Sequence, residues 1–143
     1  MVIVRVDIGG DVRLFVDIEG PQFVPDGLRM AERPVLVLLH GGPGADHSVF
    51  KPSFSRIADA AIVVYYDHRG HGRSDDGPVE GWTLENWADD VVRLCDALGI
   101  EHPVVLGHSW GGLVVSFYLA RHPDHPSKVV LDSPVGPKIA SIK

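Results

Sequence analysis

The chain has 143 residues, 45% of them hydrophobic, and a formal net charge of −6 at pH 7. That length suits one domain, and an acidic chain without a run of basic residues is not expected to bind nucleic acid or an anionic membrane. No apolar run approaches the roughly 20 residues that span a bilayer, and the N-terminus does not resemble a signal peptide. We expect a cytoplasmic globular protein, in which the single Cys95 is a buried core thiol.

The chain begins with a predicted antiparallel hairpin. Apolar and polar residues alternate from Val2 to Ile8 and again from Val12 to Ile18, and Gly9-Gly10-Asp11 separates the two runs. Residues 20–34 contain prolines and glycines among polar residues, so we predict a loop there.

Strands and helices then alternate along the chain. Continuous apolar runs predict buried strands, at residues 35–39, 61–66, 104–106 and 128–131. Helices are predicted in the segments between them, at residues 48–58 with an interruption at Pro52, between a cap at Thr83 and a stop at Gly99, and at residues 110–122. This alternation predicts an α/β fold with a mostly parallel sheet, helices on both faces and the hairpin as the antiparallel edge.

Polar or glycine-rich loops follow three of these strands, at residues 40–44, 67–73 and 108–112. Open α/β sheets bind ligands at this edge. Residues 107–111 fit G-x-S-x-G, a turn that ends a strand, projects its serine above the sheet and begins a helix. Small residues are needed two positions to either side because neighbouring backbone would collide with a Cβ. Between an apolar strand and an apolar helix, the pattern predicts that Ser109 is a nucleophile.

Acyl transfer through a serine needs a base for its proton and donors for the oxyanion that forms. The backbone N–H of Trp110, at the start of a helix, and that of Gly42, in the loop at 40–44, are the predicted oxyanion donors. The alternative for the glycines of that loop is a tight turn with no chemical role.

The loop at residues 67–74, DHRGHGRS, is rich in titratable groups. Its two histidines beside Asp67 resemble a metal site only loosely, and no third ligand follows at a metal-like spacing, so we expect no metal. We predict a structural loop in which Asp67 and Arg69 pair with backbone or with each other. Trp82 and Trp87 are expected to pack. Solvated histidines are expected at positions 47, 102, 122 and 125.

Three motifs together resemble a known family: HGGPG at 40–44, DxRGxGxS at 67–74 and GHSWGG at 107–112. The chain resembles the α/β-hydrolase fold serine hydrolases, and most of all the proline iminopeptidase group. The resemblance covers nearly all of the chain but only the N-terminal half of a typical member. It implies that residues 1–143 are the N-terminal part of a single hydrolase domain, ending where the cap would begin and lacking the last strands. It also implies Ser109 as nucleophile, an oxyanion hole of Gly42 and Trp110, and no cofactor.

The triad acid and base of this family follow the cap, in the order Ser, Asp, His. No histidine follows His125 here, and no acid follows Asp132. Asp132 is a minor candidate for the acid because it ends a predicted strand, and the alternative is a capping role in the next turn. We therefore expect the base to come from a C-terminal fragment of the same hydrolase and this chain alone to be inactive. A truncated, inactive product is the other explanation.

The resemblance implies a small-molecule or peptide substrate and cleavage of a peptide, amide or ester bond, with proline iminopeptidase activity preferred. Esterase, acylase and carbon–carbon bond hydrolase activities stay open, as does a non-catalytic binding module. Serine at position 109 argues against dehalogenase or epoxide hydrolase chemistry, which needs a carboxylate nucleophile there.

Overall fold

The computed structural model describes residues 2–136. In that range the chain forms eight strands and two α-helices, which in order are β1 (Val2–Asp7), β2 (Arg13–Glu19), β3 (Phe23–Asp26), β4 (Arg29–Glu32), β5 (Val35–Leu39), β6 (Ile62–Tyr66), α1 (Leu84–Leu98), β7 (Val104–His108), α2 (Trp110–Arg121) and β8 (Lys128–Asp132). The predicted junction with a cap falls at residues 137–143, outside the described residues.

Six of the strands form one sheet in the order β1-β2-β6-β5-β7-β8. Strands β5 to β8 are parallel to one another, whereas β1 pairs antiparallel with β2, and β2 pairs antiparallel with β6. The prediction of a mostly parallel sheet with the N-terminal hairpin at one edge is therefore confirmed. The carboxyl ends of β5, β6 and β7 lie side by side, so the three loops singled out from the sequence meet at one edge of the sheet.

The two faces of the sheet are covered differently. Alternate side chains such as Val37, Val64 and Val105 pack with α1 and α2, which contact each other on that face. The intervening side chains, such as Leu38 and Tyr65, pack instead under two short 3₁₀ helices. This alternation follows from the period of two in a strand and explains why the runs are apolar on both faces.

The helix predicted at residues 48–58 forms as two short 3₁₀ helices. The chain forms 3₁₀ helices at His47–Phe50 and Ser53–Asp59, separated at Pro52. Proline has no N–H for an α-helical ladder, and the N–H of Ser55 instead reaches the carbonyl of Pro52 at 3.1 Å. Helix α1, in contrast, has the predicted ends: Thr83 Oγ1 accepts from the N–H of Asn86, and Gly99 closes the helix at φ 68°.

The loop predicted for residues 20–34 is also wrong, because β3 and β4 form a separate two-stranded sheet there. Asp26 pairs with Arg29 across a two-residue turn in which Gly27 has φ 61°. Glycine at the first of the two turn positions favours such a hairpin. Both strands of a two-stranded sheet are edges, so Pro25 is tolerated in β3.

Candidate active site

The turn between β7 and α2 has the predicted strand, turn and helix, with Ser109 alone between them. Ser109 has φ 54° and ψ −120°, a conformation that a residue with a side chain adopts only at a cost of about 1–3 kcal/mol. The flanking glycines are required by close backbone contacts. A Cβ at Gly107 would lie 2.5 Å from the carbonyl oxygen of Gly111, and one at Gly111 would lie 2.2 Å from that of Leu39.

Backbone hydrogen bonds from the end of β8 hold Ser109 in this conformation. Its N–H donates to the carbonyl of Asp132 at 3.0 Å, and its carbonyl accepts from the N–H of Gly112 at 2.9 Å and of Val135 at 3.0 Å. Both backbone polar groups are thus satisfied. Among residues 2–136 the Ser109 hydroxyl makes no hydrogen bond, so its proton and lone pairs are free for another partner.

The loop after β5 lies directly against Ser109. A Cβ added to Gly41 would come within 3.1 Å of the Ser109 Cβ, which is tighter than an ordinary van der Waals contact. Within the described part of the chain, the N–H of Gly42 has no acceptor. The N–H of Trp110 is the first of α2 and has no partner four residues back in the helix. Ser109, Trp110 and the loop that carries Gly42 therefore lie together, and neither N–H group has a hydrogen-bond partner among residues 2–136.

Three histidines lie buried behind this loop, at positions 40, 68 and 71. Burial lowers the pKa of His40 to about 4 and lowers the pKa of His68 well below its ordinary value. The ring of His71 stacks on Trp110 with centroids 5.7 Å apart. The uncharged rings of His40 and His68 therefore form part of the interior wall of the site.

The loop at 67–74 is structural, but its pairing differs in part from the prediction. Asp67 pairs with backbone as predicted, accepting from the N–H of Arg73 at 3.0 Å and of His47 at 2.8 Å. Arg69 does not pair with Asp67. Its guanidinium makes two hydrogen bonds of 2.9 and 3.0 Å to the buried carboxylate of Asp90, which also accepts from Arg93. Asp90 lies three residues after Trp87 on the apolar face of α1, a position that marks it as a buried charge.

Three aromatic side chains near this loop, those of Trp87, Trp82 and His47, differ from one another in solvent exposure. Trp87 is buried and donates its indole N–H to the carbonyl of Arg69 at 2.9 Å, as expected of a packed residue. Trp82 is partly exposed but packs over Gly70, where a Cβ would meet its ring at 2.7 Å. The prediction that His47 is solvated is wrong: its side chain is only 14% exposed and its Nδ1 lies 2.7 Å from Asp67.

One group of side chains in the described residues has the spacing of a metal site. Ligand atoms of Asp46, His47 and Asp67 lie within 4.8 Å of one another. Each already has a protein partner, since Asp46 accepts from the N–H of Ser48 and the Asp67 carboxylate from His47 and Arg73. These hydrogen bonds account for the cluster without an ion.

The candidate acid Asp132 lies at the end of β8, and its carboxylate accepts from His108 Nδ1 at 2.8 Å. This pair is half-exposed and joins the residue before Ser109 to the neighbouring strand. All eight histidines of the sequence lie in the described residues, and each forms a hydrogen bond to a group other than the Ser109 hydroxyl. No base is paired with Ser109 in this part of the chain.

The alpha/beta hydrolase fold family model matches residues 34–143. The chain belongs to this family. Proline iminopeptidase of Lactobacillus helveticus is 37% identical over 109 residues, which are 72% of this chain and 36% of that protein. A bifunctional esterase/perhydrolase of Acinetobacter calcoaceticus is 36% identical over 107 residues, or 74% of this chain and 38% of that protein.

Solved structures give the same assignment. The proline iminopeptidase-related protein from Thermus thermophilus superposes with a TM-score of 0.78 at 32% identity, covering 92% of this chain and 44% of that one. Proline iminopeptidase of Mycobacterium smegmatis gives 0.75 at 30% identity, with 90% and 42% covered. The resemblance stated from the motifs is confirmed, and this chain spans less than half the length of these relatives. None of its described helices is both long and apolar enough to cross a bilayer.

Proposed function

We propose that this chain carries the nucleophile of a serine hydrolase, which cleaves a peptide, amide or ester bond through an acyl-enzyme on Ser109. The observation that carries the proposal is the environment of Ser109. Its backbone is held at a positive φ by hydrogen bonds, and the loop that carries Gly42 lies against it. Within residues 2–136 neither its hydroxyl nor the N–H groups of Gly42 and Trp110 have a hydrogen-bond partner. This combination matches what acyl transfer needs from a nucleophile and an oxyanion hole.

The proposed reaction has two matching steps. A base takes the Ser109 proton as Oγ attacks the carbonyl carbon of the substrate, and the electron pair displaced onto the carbonyl oxygen is stabilised by the Gly42 and Trp110 N–H groups. The tetrahedral intermediate collapses to an ester of Ser109 and expels an amine or alcohol, which takes the proton from the base. Water, deprotonated by the same base, then attacks the ester, and the base returns that proton to Ser109 Oγ as the acid is released.

We further propose that the triad acid and base come from a C-terminal part of the same hydrolase, which is missing from these 143 residues or bound to them as a separate piece. We use "assembled protein" for this chain together with that part. Two features support this proposal: every histidine of the chain is engaged elsewhere, and no described strand covers the outer edge of β8, where Val130 and Leu131 are exposed. The intact mass of material purified from its source tests it. A longer species that contains these residues, or a second species that accompanies them, should be found, whereas this chain alone, inert towards acyl esters, would favour the non-catalytic alternative.

Aminopeptidase activity of the proline iminopeptidase type is the preferred activity, because two of the relatives described above carry that name. Esterase activity is the second candidate, favoured by the esterase/perhydrolase relative. The buried, unpaired Cys95 suits the proposed cytoplasmic location.

A substrate comparison tests the activity. The assembled protein and its Ser109→Ala variant are assayed with proline p-nitroanilide, alanine p-nitroanilide and p-nitrophenyl acetate. We expect release of p-nitroaniline from the proline substrate above that from the alanine substrate, and loss of turnover in S109A. Turnover of the acetate alone would favour the esterase, and equal turnover by S109A would contradict the role of Ser109.

A further inference from the structure

His40 is fully buried at the junction between β5 and the loop that carries Gly42. Its Nδ1 lies 2.7 Å from the carbonyl oxygen of Gly41, and its Nε2 lies 3.1 Å from the backbone nitrogen of His68. A carbonyl only accepts a hydrogen bond and a backbone N–H only donates one, so Nδ1 must carry the proton and Nε2 must be bare. The surrounding backbone thereby fixes both the tautomer and the orientation of this ring.

His68 completes the arrangement from the next strand. Its ring Nε2 lies 3.2 Å from the carbonyl oxygen of His40, while its backbone N–H donates to the His40 ring. The Tyr66 hydroxyl lies 3.3 Å from the remaining ring nitrogen of His68. The two residues thus bond reciprocally, and this bonding holds the loop after β5 to the loop after β6.

The hydrogen bond of His40 affects the active site through the peptide group that joins Gly41 to Gly42. The carbonyl of Gly41 and the N–H of Gly42 belong to the same trans peptide, so they point in opposite directions. A bond from His40 that holds the carbonyl towards the interior turns the N–H outwards, to the side where Ser109 lies against Gly41. Without such a bond, a Gly-Gly peptide has access to many conformations at little steric cost.

We propose that His40 is a positioning residue for catalysis, which aims the Gly42 N–H at the oxyanion by holding the carbonyl of Gly41. The inference rests on the proposed function, since it assigns a role within that oxyanion hole. His40 itself does not touch the reacting atoms.

The protonation state of His40 is part of this role. Burial lowers the pKa of His40 to about 4, so the ring is neutral at pH 7. A second proton would place an N–H of the ring against the N–H of His68, two donors facing each other. The titratable groups around the ring are His68, His71, Asp46 and Asp67, of which the carboxylates favour the charged ring and His71 opposes it.

Two substitutions separate the two hydrogen bonds of His40. In His40→Asn the side-chain amide nitrogen takes the place of Nδ1, so the bond to Gly41 is kept and the bond from His68 is lost. In His40→Gln the amide oxygen takes the place of Nε2, so the bond from His68 is kept and the bond to Gly41 is lost. His102→Gln, at an exposed histidine far along the chain, serves as the control for losing an imidazole.

The test is the rate at which a fluorophosphonate labels Ser109 in the assembled protein, since the tetrahedral adduct places an oxygen in the oxyanion hole. We expect H40Q to slow labelling by about 100-fold, the usual effect of losing one oxyanion donor. H40N should recover most of the rate that H40Q loses. With a turned-over substrate, H40Q should lower kcat and leave KM unchanged, because the contact forms only in the transition state.

A merely structural role predicts otherwise, with H40N and H40Q equally slow or H40N the slower. Either result, or labelling of both at the rate of H102Q and the unmodified protein, overturns the inference while the proposed function stands. If the unmodified protein is not labelled, the proposed function fails and this inference fails with it.

Discussion

Acid should destabilise this fold through the buried His40, over a defined pH range. The ordinary histidine pKa of 6.5 falls to about 4 in the folded protein because burial disfavours the charged ring. Between these two values the unfolded chain binds a proton that the folded chain does not. The contribution of His40 to stability is therefore complete above pH 6.5 and is lost as the pH falls towards 4. A difference of about 2.5 in pKa corresponds to about 3 kcal/mol in the free energy of unfolding.

The assay is urea unfolding of the assembled protein at several pH values between 7 and 4, followed by tryptophan fluorescence. Trp110 reports on this region because its ring lies 5.3 Å from that of His68. Over this range the free energy of unfolding should fall by about 3 kcal/mol more in the unmodified protein than in H40Q, since glutamine does not titrate. The H102Q variant should lose as much as the unmodified protein. Equal pH dependence in H40Q and the unmodified protein would refute the reasoning.

Three further predictions concern the surrounding framework. Asp90→Ala should lower the free energy of unfolding in urea by about 3–5 kcal/mol, because it leaves Arg69 buried without a partner. Asp89→Ala on the same helix breaks a more exposed pair and should lower it by at most about 1 kcal/mol. Equal losses in the two variants would contradict this reasoning. Gly111→Ala should prevent soluble expression or lower the melting temperature sharply, because its Cβ would lie 2.2 Å from a backbone carbonyl; unchanged melting would contradict the packing. Burial raises the pKa of Cys95 to about 12, so iodoacetamide at pH 8 should modify it only in the denatured protein, as read by mass spectrometry.

The turn at Ser109 was predictable because its determinants are local in sequence. Apolar runs on either side define a strand and a helix, and the spacing of Gly107 and Gly111 around the serine reflects contacts within the turn and with the adjacent strand. The same holds for α1, whose cap and stop are single residues at its ends. Local patterns of this kind also predict the fold class.

The errors arose where two local signals compete. The prolines of residues 20–34 indicate a loop, but Gly27 at the first turn position favours a hairpin, and an edge strand tolerates Pro25. At residues 48–58 the apolar spacing fits either helix type. The hydrogen bond from the Ser55 N–H to the Pro52 carbonyl is typical of the tighter 3₁₀ helix.

Contacts between residues far apart in the sequence could not be predicted from local patterns. His40 and His68 are 28 residues apart, and Arg69 and Asp90 are 21 apart. The first contact depends on β5 and β6 lying side by side, and the second on how α1 packs over the loop after β6. The position of Asp90 on an apolar helix face was the one local sign that a buried partner was needed.

The most direct test of the central claim is the site of covalent modification by a fluorophosphonate. The assembled protein is treated with the reagent, digested and mapped by mass spectrometry, with S109A as the control. We predict a single adduct on the peptide that contains Ser109, and none on that peptide in S109A. An adduct confined to another serine, such as Ser48 or Ser133, or no adduct on the folded protein, would contradict the claim that Ser109 is the nucleophile.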